Sequence, residues 1–295
     1  MRAMTNPAKY AVLLAVKSTG SLTLAAEKLG YTQSGISHII ADLEAECGFP
    51  LVQRTRSGSA LTKEAERLTE PIRAMLRANE QLSAALDEIN GLRSGVVRVG
   101  MFSSVAVHWA PELIARFSER CPNIRVEVFS GLYHEIENRV LSEELDCGFL
   151  TKQTKRDLKF LELTRDRLLA VLPKGHPLAR EEKLPLKLLA EAGLIIPGEG
   201  TGYDRGESLR RHSIEPNAKY ELSDDYAALS MAERGLGVTI LPELILSGQH
   251  ANVELRELDP PLCRTIGIVS RPHRLLSPAA GAFMDTAAEL FRDKK

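Results

Sequence analysis

Two groups of residues have types and spacings that could do chemistry. The first is Thr32, Gln33, Ser34, Ser37 and His38, hydrogen-bonding side chains that share one face if the chain is helical there. A face with many donors and acceptors and no bulky apolar side chain suits base edges and phosphates in a major groove. The plainer reading is a solvated face on an ordinary helical hairpin. The second group is Ser103 and Ser104, with Thr201 and Gly202, each pair standing after a short apolar run and before a helical one. Backbone N–H groups at such a junction lack intrahelical partners, and small hydroxyl residues let a carboxylate approach them. A helix cap at Ser103 or Ser104 and a closed turn at Thr201 are the plainer uses.

Catalysis has weaker support. Ser103, His108 and several aspartates can be arranged on paper as a hydrolase triad, but no G-x-S-x-G nucleophile elbow is present. The run Gly198-Glu199-Gly200-Thr201-Gly202 is superficially a phosphate loop, yet no Gly-Lys-Ser/Thr follows it. A turn between strand and helix is the simpler account. The four cysteines, Cys47, Cys121, Cys147 and Cys263, are far apart, lack metal-ligand spacing and have apolar neighbours, so buried free thiols are expected. No metal and no cofactor is expected.

The elements that must position these residues are written locally. From Ser21 to Glu44, apolar residues at helical spacing form two runs, Leu22, Leu24, Ala25, Ala26, Leu29 and Ile36, Ile39, Ile40, Leu43, broken by Gly30-Tyr31-Thr32. Gly30 can end the first helix in a left-handed conformation, and Thr32 can cap the second. An earlier helix opens at Asn6-Pro7, buried through Tyr10, Leu13, Leu14 and Val16. After Gly48, short extended runs around Ser57-Gly58 read as a hairpin carrying Arg54, Arg56 and, just beyond it, Lys63, with no acid between Phe49 and Lys63. A basic hairpin behind a helix-turn-helix reads as a wing for the DNA backbone or minor groove; an exposed turn is the alternative.

From Thr62 to about Asn90 the chain is rich in helix formers. Ala65, Leu68, Ile72, Met75, Asn79, Leu82, Leu86 and Ile89 alternate by threes and fours, the seam of a coiled coil, which implies a partner helix. Asn79 in that seam can fix register, and Pro71 should bend the helix or divide it. Gly91-Leu92-Arg93-Ser94-Gly95 then breaks the pattern as a linker.

The remainder alternates strands and helices. Strands are expected at Val96 to Val99, Ile124 to Phe129, Cys147 to Leu150, Leu168 to Leu172, Leu194 to Ile196, Tyr220 to Leu222, Val238 to Leu241, Val253 to Leu258 and Thr265 to Ser270. Helices are expected through Phe117, at Glu135 to Leu141, near Gly206 to His212, at Asp225 to Arg234 and at Pro278 to Phe291. The stretch is too long for one small sheet, and two similar lobes around a crevice fit the count.

Composition agrees with a chain of several units. It has 295 residues, 44% hydrophobic and 26% charged, able to build real cores. With a net charge of −1, any DNA contact must come from a local patch. No apolar run can span a bilayer and the N-terminus lacks a signal-peptide core, so a cytoplasmic protein without membrane partners is expected.

These residues resemble the LysR-type transcriptional regulators. Ser18 to Leu29 resembles the family's "SGSFTRAAERL", Thr32 to Glu44 its "SQPAVSRQIRRLE", Gly48 to Arg54 its "GVPLFER" and Leu61-Thr62 its "LT". Farther on, Leu145 to Leu150, Gly175 to Ala179 and Gly235 to Pro242 resemble "LDLAI", "HPLA" and "GLGIALLP". The likeness runs the length of the chain and implies an all-α winged helix-turn-helix over residues 1–61, a dimerising linker helix over 62–94 and a two-lobed α/β effector domain over 95–295. That last domain is expected to be similar to periplasmic solute-binding proteins, with one lobe at about 95–166 and 271–295 and the other at about 167–270.

The implied function is a regulator of promoter activity that responds to a small-molecule, anionic effector. Its implied partners are double-stranded promoter DNA and further copies of itself, as a homodimer or homotetramer. A free-standing solute-binding protein and a hydrolase are the rivals. On this reading Thr32, Gln33, Ser34, Ser37, His38, Arg54 and Arg56 touch DNA, within a helix-turn-helix at about 22–41. Ser103, Ser104, Thr201 and Gly202 touch effector, and Leu68, Ile72, Met75, Asn79, Leu82 and Leu86 form the dimer contact. Ser34 and Gly35 replace the family's common Pro-Ala, and His38 stands where Arg is frequent, so base preference does not carry over. Cys47 occupies a position usually held by leucine, which favours packing, and the cysteine pair of the family's peroxide sensors is missing.

Overall fold

The computed structural model describes residues 7–55, 58–89, 94–152, 157–197, 209, 211–212, 214–215, 217–222, 224–248, 252–272 and 276–292. The chain divides into two compact units, residues 1–92 and 93–295. No helix among the described residues is long and apolar enough to cross a membrane.

The first unit opens with α1 (Pro7–Thr19), α2 (Leu22–Leu29) and α3 (Gln33–Cys47). Both expected boundaries form. Gly30 adopts φ 72° as the C-cap of α2, and Thr32 Oγ1 accepts from the Gly35 N–H at 3.1 Å to cap α3. Val12, Leu13 and Val16 meet Ala25, Ala26, Ile36, Ile40 and Leu43 in one core. The hairpin follows as β1 (Val52–Thr55) and β2 (Gly58–Leu61), antiparallel with Arg54 opposite Ser59. It is tied down at two points. Glu44 Oε1 accepts the N–H groups of Leu51 and Val52 at 2.7 and 3.1 Å, and the Ser59 N–H donates to the Gly20 carbonyl at 2.8 Å.

The long helix α4 (Lys63–Ile89) starts on a Thr62 cap and runs through Pro71 as a single helix. Pro71 therefore does not divide it. The expected seam does divide. Ala65 and Ile72 are buried in the core of their own unit and Leu68 packs against it, whereas Leu82 and Leu86 are 61% and 53% exposed. Ile72 is thus already covered within its own chain, and the free part of the stripe lies toward the far end of α4.

In the second unit, seven strands form one sheet. In order of adjacency β10 (Thr239–Pro242), β6 (Lys159–Pro173), β11 (Val253–Ser270), β5 (Cys147–Thr151), β3 (Gly95–Met101) and β4 (Ile124–Ser130) lie side by side, and β7 (Lys183–Pro185) pairs with β11. β3 runs parallel to β4 and β5, while β11 is antiparallel to β5 and β6. A separate parallel pair joins β8 (Leu194–Pro197) and β9 (Ala218–Leu222). The helices lying wholly within the described residues are α5 (Ser103–His108), α6 (Ala110–Arg120), α7 (Tyr133–Leu141), α8 (Leu186–Glu191), α9 (Asp225–Glu233), α10 (Glu243–Leu246) and α11 (Pro278–Phe291).

Several expected elements change extent. The helix through Phe117 is two helices broken at Trp109, because Pro111 in the first turn of α6 has no N–H to continue a helical ladder. The strand expected at Leu168 to Leu172 is the end of the 15-residue β6, whose first half mixes charged and apolar residues. The two strands expected after Val253 are one 18-residue strand, with a register shift between Glu257 and Leu262 where Pro260 and Pro261 cannot donate to the ladder. The helix expected near 206–212 lies mostly outside the described residues. Cys263, expected to be buried, is exposed.

The strands β6 and β11 connect two cores. Leu163, Ile266 and Ile268 belong to a core with Phe102, Phe117, Ile136, Phe149 and Phe283, while Leu168, Leu172, Leu258 and Leu262 belong to another with Leu184, Leu189 and Val238. These two cores define two lobes of one unit. On both long strands the changeover falls in a few residues, and Asp166 and Arg264 occupy it.

Candidate functional site

At the start of α3, Gln33, Ser34 and His38 are exposed and Ser37 is half-buried. Thr32 has a different task from the one its neighbours share: its hydroxyl caps the helix and lies 3.1 Å from Ser34 Oγ. Gln33, Ser34, Ser37 and His38 thus remain as the polar groups of this face, above a fixed helix terminus. On the hairpin, the backbone of Arg54 is paired, but its side chain and the whole of Arg56 lie outside the described residues.

The second unit gathers the other group around a residue the sequence did not mark. Arg264, on β11, is 2% exposed and stands opposite Asp166 of β6, which is 6% exposed. Its Nε and Nη2 donate to Asp166 Oδ2 at 2.9 and 2.7 Å. Nη2 also donates to Ser104 Oγ at 2.9 Å and Nη1 to the Tyr133 hydroxyl at 3.1 Å, and the Phe102 ring lies 5.1 Å below the guanidinium. Burial opposes the arginine charge, but Tyr133, Asp166 and Asp225 outweigh it and hold its pKa above the ordinary value. The guanidinium is therefore a permanent buried cation.

Ser104 accordingly does not cap a helix. It is buried as the second residue of the six-residue α5, and its oxygen accepts a hydrogen bond from Arg264. Ser103 is half-buried beside it, at the first position of the helix. The hydroxyl oxygens of Ser104 and Tyr133 both accept from Arg264, which leaves the Ser104 O–H as a donor. A hydroxyl donor next to a buried cation is suited to an anion or a strong acceptor. Thr201 and Gly202 lie outside the described residues.

A second link joins the lobes at the same level. The Tyr226 hydroxyl of α9 lies 3.2 Å from His108 Nε2 of α5. Burial lowers the His108 pKa, with Asp166 pulling the other way, so the ring is neutral at pH 7. In this position His108 Nε2 faces a phenol. Sequence reasoning missed Arg264, Asp166, Tyr133 and Tyr226 because they sit far apart in charged or mixed stretches. The one available signal was an alternation in both long strands that places Asp166 and Arg264 inward.

Comparison with known proteins covers both units. Residues 8–66 match the bacterial regulatory helix-turn-helix proteins of the lysR family, and residues 90–292 match the LysR substrate binding domain. The probable HTH-type transcriptional regulator LrrA of Synechococcus elongatus is 30% identical over 288 residues, covering 95% of this chain and 95% of LrrA. Full-length OxyR from Pseudomonas aeruginosa superposes with a TM-score of 0.74 at 19% identity, over 97% of this chain and 98% of that one. The CcmR regulatory domain of Synechocystis, solved with 2-PG, superposes with a TM-score of 0.64 at 19% identity, over 68% of this chain and 99% of that domain. With matches over both units, the chain belongs to the LysR family of DNA-binding transcriptional regulators.

Proposed function

We propose that this regulator reads promoter DNA with Gln33, Ser34, Ser37 and His38 of α3, braced by Arg54 and Arg56 of the wing, and that it answers to a small anion held between its lobes. The observation that carries the effector reading is the buried Arg264, whose guanidinium is ringed by the hydroxyl groups of Ser104 and Tyr133. Ser103 lines the same place. Thr201 and Gly202 complete the site on the sequence argument alone. The CcmR domain, which binds 2-phosphoglycolate, gives this reading support from a related fold. The protein acts by binding, as a member of a family of transcriptional regulators.

The protein works as a homodimer or homotetramer. The exposed Leu82 and Leu86 of α4, with Met75 and Asn79, form its contact, and Leu68 contributes where it lines a hollow of about 370 Å³ with Tyr10, Phe49 and Met75. Titration calorimetry with a panel of small carboxylates and phosphates, alongside mobility shifts on the DNA upstream of its own gene, tests the whole reading. Ser104→Ala should weaken anion binding about tenfold, roughly 1.4 kcal/mol. If an anion that alters DNA binding is held equally by native and Ser104→Ala proteins, the effector sits elsewhere.

A further inference from the structure

The Arg264 guanidinium has two working edges. One holds Asp166 Oδ2 through Nε and Nη2, and the other reaches Ser104 and Tyr133. The second carboxylate oxygen, Asp166 Oδ1, accepts the backbone N–H of Leu244 at 3.0 Å. Leu244 belongs to α10, where its own side chain packs against the first-lobe core while Ile245 and Leu246 pack into the second lobe. One carboxylate thus connects the buried cation to a helix of the second lobe.

We propose that Asp166 is a built-in competitor of the effector, and that the competition carries effector occupancy to α10. The proposal rests on the anionic-effector reading. Without effector, Asp166 and Arg264 form a neutral buried pair. An anion arriving at Ser104 and Tyr133 shares the same guanidinium, and two anions around one buried cation each weaken the other's hold. Asp225, also buried, adds its field to Arg264 without replacing Asp166 on the Nε edge, and the neutral His108 supplies no second cation. The effector's gain at Arg264 is therefore Asp166's loss. As Asp166 is drawn off or re-angled, its bond to the Leu244 N–H changes, and α10 senses the bound state.

The experiment compares native protein, Asp166→Asn, Arg264→Gln and the charge-balanced Asp166→Asn/Arg264→Gln pair, using inorganic phosphate, glycolate and 2-phosphoglycolate as probes. Affinity is read by calorimetry and folding by circular dichroism. Asp166→Asn should bind at least one probe ten times or more tighter than native, while the charge-balanced variant should bind none. Asp166→Asn leaves a buried cation without its partner, so its fold can depend on added anion; folding restored by a probe supports the proposal. It is overturned if Asp166→Asn binds no probe more tightly than native. It is also overturned if Asp166→Asn folds neither with nor without probe while the charge-balanced variant folds, since Asp166 is then only a structural counter-charge. The two readings fail separately. Arg264→Gln that loses binding, beside an Asp166→Asn of native affinity, keeps the anion site and removes the competition; Arg264→Gln with native affinity removes both.

Discussion

The Tyr226 hydroxyl lies 3.2 Å from His108 Nε2, and the two side chains come from different lobes. Burial holds the His108 pKa below its ordinary 6.5, so on acidification the unfolded chain takes up this proton before the folded one does. The stabilisation is complete above about pH 6.5 and is lost as pH falls through the lower folded value. The urea midpoint should therefore drop between pH 7 and pH 5.5. In His108→Gln the drop should be shallower but not absent, because burial lowers His176 in the same sense. An unchanged pH dependence in His108→Gln would show that the ring is not desolvated in solution.

How legible such features were depends on whether they are local. The turn between α2 and α3 was readable because Gly30 and Thr32 act on backbone groups within a few residues. By contrast, Gly100 and Gly148 looked like ordinary strand residues. They are partners across β3 and β5, and a Cβ on either would come within 2.7 and 2.5 Å of Ile136 of α7. Arg264 was hidden for the same reason: its partners Ser104, Tyr133 and Asp166 are brought to it by the sheet and are remote in sequence. The Thr32 cap, being local, was legible, and it engages the hydroxyl that the sequence also offered to DNA.

Gln33 and Arg54 should fail in different ways. Gln33 is exposed at the first position of α3, where its amide can pair with adenine, so Gln33→Ala should relax sequence preference by roughly 1 to 3 kcal/mol of discrimination. Arg54→Ala should weaken binding to all sequences and lower the salt slope by about one. Mobility shifts across an operator library at several salt concentrations separate the two. An unchanged ranking of operators in Gln33→Ala removes Gln33 from base readout.

Leu82 is the most exposed of the large apolar residues noted in the structure, at 61%, and sits on a helix whose earlier apolar residues are already covered. Leu82→Asp places a charge in the proposed seam and should lower the sedimenting mass and operator affinity together. The fold of the first unit should persist, since Leu82 lies outside its core. Native mass with native DNA affinity would place the dimer contact elsewhere.

The four cysteines should label in an order set by burial. Cys263 is exposed and should react with a maleimide within the native protein. Cys147 is fully enclosed, and burial together with Asp146 pushes its thiol well above the ordinary range, so it should react only on unfolding. Cys121 should follow Cys147, and Cys47, half-buried, should fall between. Mass spectrometry of pulse-labelled protein reads the order, and early loss of Cys147 would mean that the first lobe opens readily.

Thr69 is 3% exposed on the face of α4 between Ala65 and Ile72, and its hydroxyl has no hydrogen-bond partner among the described residues. A buried hydroxyl left without a partner costs about 1 to 3 kcal/mol, and valine keeps nearly the same shape without that cost. Both residues are β-branched, so helix propensity changes little. Thr69→Val should therefore stabilise the protein by about 1 kcal/mol, read as a higher urea midpoint at constant slope. Thr69→Ala, which also removes the hydroxyl but leaves a void beside Ile72, should gain less or lose stability. The pair of variants separates polarity from packing. If Thr69→Val is less stable than native, the hydroxyl has a partner in solution, and α4 meets its own headpiece through a hydrogen bond at this position as well as through apolar packing.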